Sequence, residues 1–379
     1  MPRTVRHLCA IGAFAMAGLA TVDATLAVTP SFRRMGDLVG FGFRSDAAGV
    51  SANGQVVVGS SDGGFGREAV YWTSGGGLVG IGDLPAGVFE SEATATSANG
   101  SVIVGQGVGT TGYQAFRWTS GGGMLGLGDL PGGDIYSRAN DVSRDGTIVV
   151  GQSFSSGGLE AFRWTQSSGM VGLGDLPGGL FRSGALGISG DGQTIVGASF
   201  SASGEQAFRW TQSSGMVGIG ELPGGLFQSA ARAVSFDGSV IVGESFGPNG
   251  LEAFRWTQSG GMVGLGDLPG GGFDSRAYAV SDDGSIVVGF GSTNLGAEAF
   301  YWTQADGMQR LQDVMAQYGV FAPGWVLSRA TGISADGLTI VGFGVNPDRD
   351  MEGWIVTLPE PSGLLLLGAG LAILRRARR

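Results

Sequence analysis

One pattern of 46 residues recurs along most of this chain, and a fold lacking internal symmetry has no place for it. Trp72, Trp118, Trp164, Trp210, Trp256 and Trp302 stand 46 apart, and so do Gly54, Gly100, Gly146, Gly192, Gly238 and Gly284. An acid followed by an apolar residue keeps the same step at Asp37, Asp83, Asp129, Asp175, Glu221, Asp267 and Asp313, which defines seven units. The last unit alone breaks step. Gly337 follows Gly284 by 53, so seven residues are inserted within 314–329, and Trp354 closes the seventh unit. The insert contains Met315-Ala316-Gln317-Tyr318, the one stretch predicted to form a helical turn.

Within a unit the pattern predicts four short strands. Segment 262–268 alternates apolar residues with Gly and ends at Pro269-Gly270-Gly271, where Pro lacks a donor and Gly tolerates positive φ. Segment 275–281 is a second strand and Val-rich 285–289 a third, joined at Asp283-Gly284, which is predicted to be a two-residue type I′ turn. The fourth strand, 298–303 here and 252–257 one unit earlier, puts Phe254 and Trp256 on one face and Ala253, Arg255 and Thr257 on the other. Both faces recur as bulky or amphipathic, as suits a sheet covered by neighbours on both sides.

Four strands per unit, seven times over, predict an all-β chain folded as a seven-bladed β-propeller. A β-solenoid, with two coils per repeat, is the alternative. Hairpin turns favour the propeller, because they imply antiparallel meanders that a parallel coil lacks. An early strand at 35–39 is expected to complete the sheet that holds Trp354 and so latch the ring. With 75 Gly and only 14% charged residues, the chain is turn-rich and apolar enough to bury a sizeable core.

The propeller, 28–358, is expected to be flanked by an N-terminal signal helix and a short C-terminal transmembrane helix. Residues 1–27 have the order of a secretory signal peptide: basic Arg3 and Arg6, an apolar run over 8–22, then small residues ending at Ala24 and Ala27. At the other end, Pro359-Glu360-Pro361 leads into the apolar run 363–374, closed by Arg375, Arg376, Arg378 and Arg379. A helix over 363–374 would rise about 18 Å against about 30 Å of hydrocarbon, so it would insert only with local thinning. Its arginines would stay cytoplasmic by the positive-inside rule.

The order Pro-Glu-Pro, apolar segment, Arg cluster over 359–379 resembles the PEP-CTERM sorting tail of Gram-negative bacteria. That resemblance implies an exosortase-type processing partner, transient membrane anchoring through the tail, and delivery to the cell surface or exopolysaccharide matrix. The recurring Glu-Ala-Phe-Arg-Trp-Thr block at 160–165 and 252–257 resembles the extracellular HAF repeats, named for a His-Ala-Phe core. Here the His position holds Glu68, Gln114, Glu160, Gln206, Glu252 and Glu298, which puts in doubt any role tied to that His. The family carries no known catalytic residues to transfer.

Cleavage of the signal would remove His7 and Cys9, the only His and Cys, and the chain has no Lys. Ser-His-Asp, Cys-His, zinc and Schiff-base chemistry therefore lack their side chains in 28–358. No catalytic residue, cofactor or metal is predicted. That segment carries 16 Arg against 30 acids, a net charge near −14, which disfavours nucleic acid and anionic lipid.

A carboxylate pair acting on a glycosidic bond stays formally open. Asp145, Asp191, Asp237 and Asp283 recur in register, however, as turn residues do, and one Asp per turn supplies too few oxygens for calcium. Arg117, Arg163, Arg209 and Arg255 are expected to pack their stems between aromatics and pair their tips with acids; Tyr71 and Tyr301 take that place in other units.

The expected function is a non-enzymatic structural or binding role toward a polysaccharide or another protein. The candidate contact residues are Tyr318, Phe321 and Trp325 in the irregular insert; its other reading is a cap that fills the ring-closure gap. A carbohydrate-active enzyme on the same scaffold is the competing function.

Overall fold

The Val-rich segments and the Ala-Phe-x-Trp segments pair antiparallel in every complete copy, with Val287 opposite Trp302 and Gly289 opposite Phe300 in the sixth. The computed structural model describes residues 28–40 and 42–359. The signal segment, Glu360, Pro361 and Arg375, Arg376, Arg378 and Arg379 lie outside the described residues. Among those described, no helix is long and apolar enough to cross a membrane.

Seven four-stranded antiparallel sheets form the blades of a β-propeller. Each of the first six meanders outward, as in Ser45–Val50, Val56–Asp62, Arg67–Thr73, Gly77–Gly80 for blade 1 and Ser275–Val280, Ile286–Thr293, Gly296–Thr303, Gly307–Arg310 for blade 6. Blade 7 takes Val326–Ile333, Thr339–Val345 and Met351–Thr357 from the end of the chain and borrows Ser31–Arg34 from its beginning as the outermost strand. The latch therefore forms, slightly upstream of the expected 35–39: Arg34 pairs with Trp354, and only Met35 continues the ladder, donating its N–H to Gly353 O at 2.8 Å. Residues that follow turn away because Gly36 adopts φ +80°.

The two-sided burial read from the sequence is what stacks the blades. Phe254 of blade 5 is buried with Val196 and Ala207 of blade 4, while Ala253 on its other face is buried with Phe300 of blade 6. Burying such a ring contributes roughly 1.5–3 kcal/mol, so these seams dominate cohesion between blades.

A buried serine reinforces every seam but the one between blades 6 and 7. Ser275 Oγ accepts from Ala253 N of the preceding blade at 2.9 Å and donates to Gly266 O at 2.6 Å. Backbone bonds from one inner loop to the next run around the ring, as from Ala52 N to Ala98 O and from Ala335 N back to Ala52 O, at every step but that from blade 3 to blade 4.

Three local expectations need correction. The Asp-Gly loops are not type I′ turns: Gly284 has φ +70° but Asp283 stays at negative φ. Ser281 bonds to Ile286 across a longer loop, in which Asp283 Oδ1 accepts from Ser281 Oγ at 2.6 Å and from Ser285 N at 3.0 Å. Those bonds hold the Asp283 carboxyl below its usual pKa although burial opposes them.

The Arg column finds no acid. Arg117 and Arg255 donate to the carbonyls of Gly146 and Gly284 at 3.4 Å, and Arg209 to Thr194 Oγ1 at 3.2 Å. Trp354 belongs to the column of phenylalanines, not tryptophans: it faces Gly342 as Phe300 faces Gly289. In the family's His position, Glu68, Glu160 and Glu252 accept a connector N–H from Gly82, Gly174 and Gly266, at 2.8, 2.9 and 2.9 Å.

Candidate functional site

In all seven inner strands the ladder slips by one residue at the same place, from Ala47/Gly49 in blade 1 to Ala330/Gly332 in blade 7. A bulge leaves its extra residue unpaired and re-aims it. The extra residues are Ala48, Thr94, Asn140, Leu186, Arg232, Tyr278 and Thr331, and together they line the central channel. The scaffold around them is nearly invariant between copies, whereas this column differs in charge and size at almost every position.

Two residues earlier a second variable column rims the mouth of the channel. It is acidic in blades 1 and 2, with Asp46 and Glu92, and basic in blades 3, 6 and 7, with Arg138, Arg276 and Arg329. Each faces a variable partner on the second strand, so Arg276 meets Phe290 and Arg329 meets Phe343.

The two halves of the mouth are electrostatically different. In the acidic half, Arg67 is held by three carboxylates: Asp46, Glu92 at 2.8 Å and Asp62 at 3.5 Å. Burial raises the Asp46 pKa, with Arg67 opposing it.

In the basic half, Arg232 is matched by Glu244, its Nε lying 2.8 and 3.0 Å from the two carboxylate oxygens. Arg329 has no carboxylate partner among the described residues. Its guanidinium stacks instead on Phe290 at 4.9 Å and Phe343 at 5.8 Å. Arg182 similarly lies over Phe200 at 5.6 Å. The Nε of Arg138 is buried with no hydrogen-bond partner. Arg138, Arg232 and Arg329 line one cavity of about 410 Å³, with Asn140, Tyr278 and Thr331.

At the other end, side chains close the channel. Arg144 of blade 3 forms an ion pair with Asp282 of blade 6 and lies 5.4 Å over Phe236 of blade 5. Blades 3 and 6 are as far apart as seven blades allow, so this pair must span the axis. Between floor and mouth, Asp141 receives N–H bonds from Val142 at 2.8 Å and from Ile188 of the next blade at 2.9 Å.

Desolvation pushes the Asp141 pKa up to about 6, against those bonds. Since the folded value lies above the unfolded one near 3.9, the protein holds an extra proton between about pH 4 and 6 and loses stability as pH rises through that window. The full loss is on the order of 3 kcal/mol. Asp141→Asn is expected to flatten that decline, as read by urea unfolding at pH 4.5, 6 and 7.5.

The residues singled out from the sequence do not form this site. Trp325 is a core residue, 7% exposed, packed edge-on against Phe32 of the latch at 5.2 Å. Tyr318 is half-buried against the same cluster, and only Phe321, 69% exposed, turns its ring to solvent. The insert forms the helix Leu311–Gln317 and fills the seam where the ring closes, the other reading given above. The arginines and aromatics of the mouth are not marked by the repeat, because they lie in the columns where the copies differ.

No family model matches the sequence, and no curated protein matches it. Among solved structures the chain is similar to oligogalacturonate lyase from Vibrio parahaemolyticus, with 11% identity and a TM-score of 0.50 over 88% of this chain and 98% of that one. It is also similar to TolB from Acinetobacter baumannii, with 12% identity and a TM-score of 0.47 over 68% of this chain, spanning 63% of that protein's length. A third likeness is to the Dos1 propeller, with 9% identity and a TM-score of 0.46 over 87% of this chain and 95% of that one. At such identities the likeness is one of fold, and nothing about the mouth carries over.

Proposed function

We propose that this chain is an exported, non-enzymatic binding propeller of the Gram-negative cell surface or exopolysaccharide matrix, sorted through its PEP-CTERM-like tail and its exosortase. The observation that carries the binding role is the mouth of the channel: register-matched blades diverge there, and they present arginines over aromatic rings around a cavity. Ligand sites favour concave surfaces with a few convergent polar groups on a rigid frame.

The lack of His, Cys and Lys in 28–358 supports a binder over the common hydrolytic machineries. Asp141, the channel carboxyl with the raised pKa, has both oxygens engaged by backbone N–H groups, which suits a structural role. The test is to incubate the purified chain with exopolysaccharide from cells that export it. Retention without new reducing ends is expected. New reducing ends that disappear with Asp141→Asn, or with a Glu92→Gln change in the rim, would establish the carbohydrate-active reading instead.

A further inference from the structure

Arginine is normally neutralised where acids abound, and residues 28–358 hold 30 acids to 16 Arg. Arg34, Arg67, Arg232 and Arg310 follow that rule with Glu352, Asp46, Glu244 and Glu298. Arg138 and Arg329, like Arg117, Arg209 and Arg255 of the outer column, have no carboxylate partner among the described residues, but these two stand together in the wall of one cavity. Stacking on Phe290 and Phe343 fixes the Arg329 guanidinium without cancelling its charge. Arg138 goes further: its Nε is buried and bonded to nothing among the described residues. An orphaned donor of a charged group in a cavity wall is costly unless something completes it.

From this geometry we infer that the cavity takes an acidic oligosaccharide, with Arg138 and Arg329 receiving the carboxylates of uronate sugars. The inference rests on the mouth being the binding site and adds the chemical class of the ligand. A guanidinium fork matches a carboxylate with two parallel hydrogen bonds. The rest of the rim argues for sparse charge on the ligand. Asp46 and Glu92, on the two blades between Arg329 and Arg138 in the same cavity wall, would repel a phosphate at every unit, yet they can accept hydroxyls, and the Asn140 amide donates its nitrogen to Ala185 O at 2.7 Å. A sugar chain with spaced carboxylates and hydroxyls between them meets both kinds of group. A nucleic acid meets only one.

Isothermal titration of the purified chain with a mannuronate hexamer, and with the same hexamer after its carboxyls are reduced to hydroxymethyl groups, tests this. The acidic hexamer is expected to bind, more weakly as salt rises, and at least about tenfold more tightly than the reduced one. Arg138→Gln and Arg329→Gln should each weaken it by roughly tenfold. No binding of the acidic hexamer, or equal affinity for the two hexamers, overturns the inference. Hexaglutamate binding as tightly as the uronate assigns the cavity to acidic peptides and overturns it as well. Exopolysaccharide retention that neither variant reduces places the site elsewhere, which sinks this inference and leaves the binding role standing; no retention at all sinks that role too. Should a variant fail to fold, the comparison of hexamers on the unaltered chain still decides.

Discussion

Gly243→Ala is expected to lower the unfolding free energy by at least about 3 kcal/mol, whereas Gly121→Ala should change it by less than about 0.5 kcal/mol. Gly243 lies in an extended second strand opposite Phe254, and an added Cβ would sit 2.0 Å from the carbonyl oxygen of Ala230. That oxygen belongs to the inner strand of the same blade and cannot swing aside, because Ala231 beside it is fully buried against blade 4. The same column holds Gly59, Gly105, Gly151, Gly197, Gly289 and Gly342, each with a backbone carbonyl 1.9–2.0 Å from the position a Cβ would take. Glycine recurs there for steric reasons, since the inner-strand carbonyl lies too close for a Cβ, and in every copy but that of Gly59 an aromatic residue stands opposite. Gly121, in an outer turn with nothing within 4 Å of its Cβ position, is the control. Urea unfolding of both variants reads the difference directly, and equal midpoints would show that the inner strand yields.

That column also shows what the sequence could disclose and what it could not. A period of 46 with apolar alternation was enough to place four strands, seven blades and a ring. Blade stacking followed from bulk on both faces of the 252–257 strand. The latch was legible because an early apolar segment lacked a sheet of its own.

Other features depend on three-dimensional company. The Asp-Gly loop reads like a tight hairpin, but Ser281 Oγ donates to Asp283 Oδ1 and accepts from Ile286 N, bonds that favour a longer loop needing one positive φ instead of two. Arg117 and Arg255 lie too far from any carboxylate and turn to loop carbonyls. Trp354 looks like one more member of the Trp series, yet the longer hairpin between Val345 and Met351 shifts it into the Phe column.

The channel mouth was hidden for a different reason. A repeat is recognised by agreement between copies, so positions that disagree look like noise. Positions 138, 184 and 230 carry Arg, Gly and Ala at one register point. Until a closed ring is in hand, nothing says that such scattered residues share a cavity. The inner-strand bulge is equally silent in sequence, because Ala, Thr, Asn, Leu, Arg and Tyr all occupy it.

Arg34→Ala is expected to cost about 2–3 kcal/mol and to free the N-terminal strand. Glu352 is fully buried, while the Arg34 side chain is 53% exposed. Their bond is a fork, with Arg34 Nη2 2.7 Å from Oε2 and Nε 3.0 Å from both oxygens. Removing the arginine leaves an interior carboxylate with only Asn346 Nδ2 at 2.9 Å and the Gly36 N–H at 3.2 Å. An uncompensated buried charge costs more than the pair contributes, but the half-exposed guanidinium is screened by water, so the lower end of the usual range applies. Adding Glu352→Gln removes the stranded charge and should recover much of the loss, which a double-mutant cycle would show as coupling. The consequence is local before it is global. Among the described residues Ser31–Arg34 is the only strand that joins the early chain to the late chain within one sheet, so amides of 31–35 should exchange faster while blades 2 to 5 keep their protection. If those amides remain as protected as the inner strands in Arg34→Ala, the ring is held shut by Phe32, Trp325 and the blade seams, and the ion pair adds little to a closure made by packing.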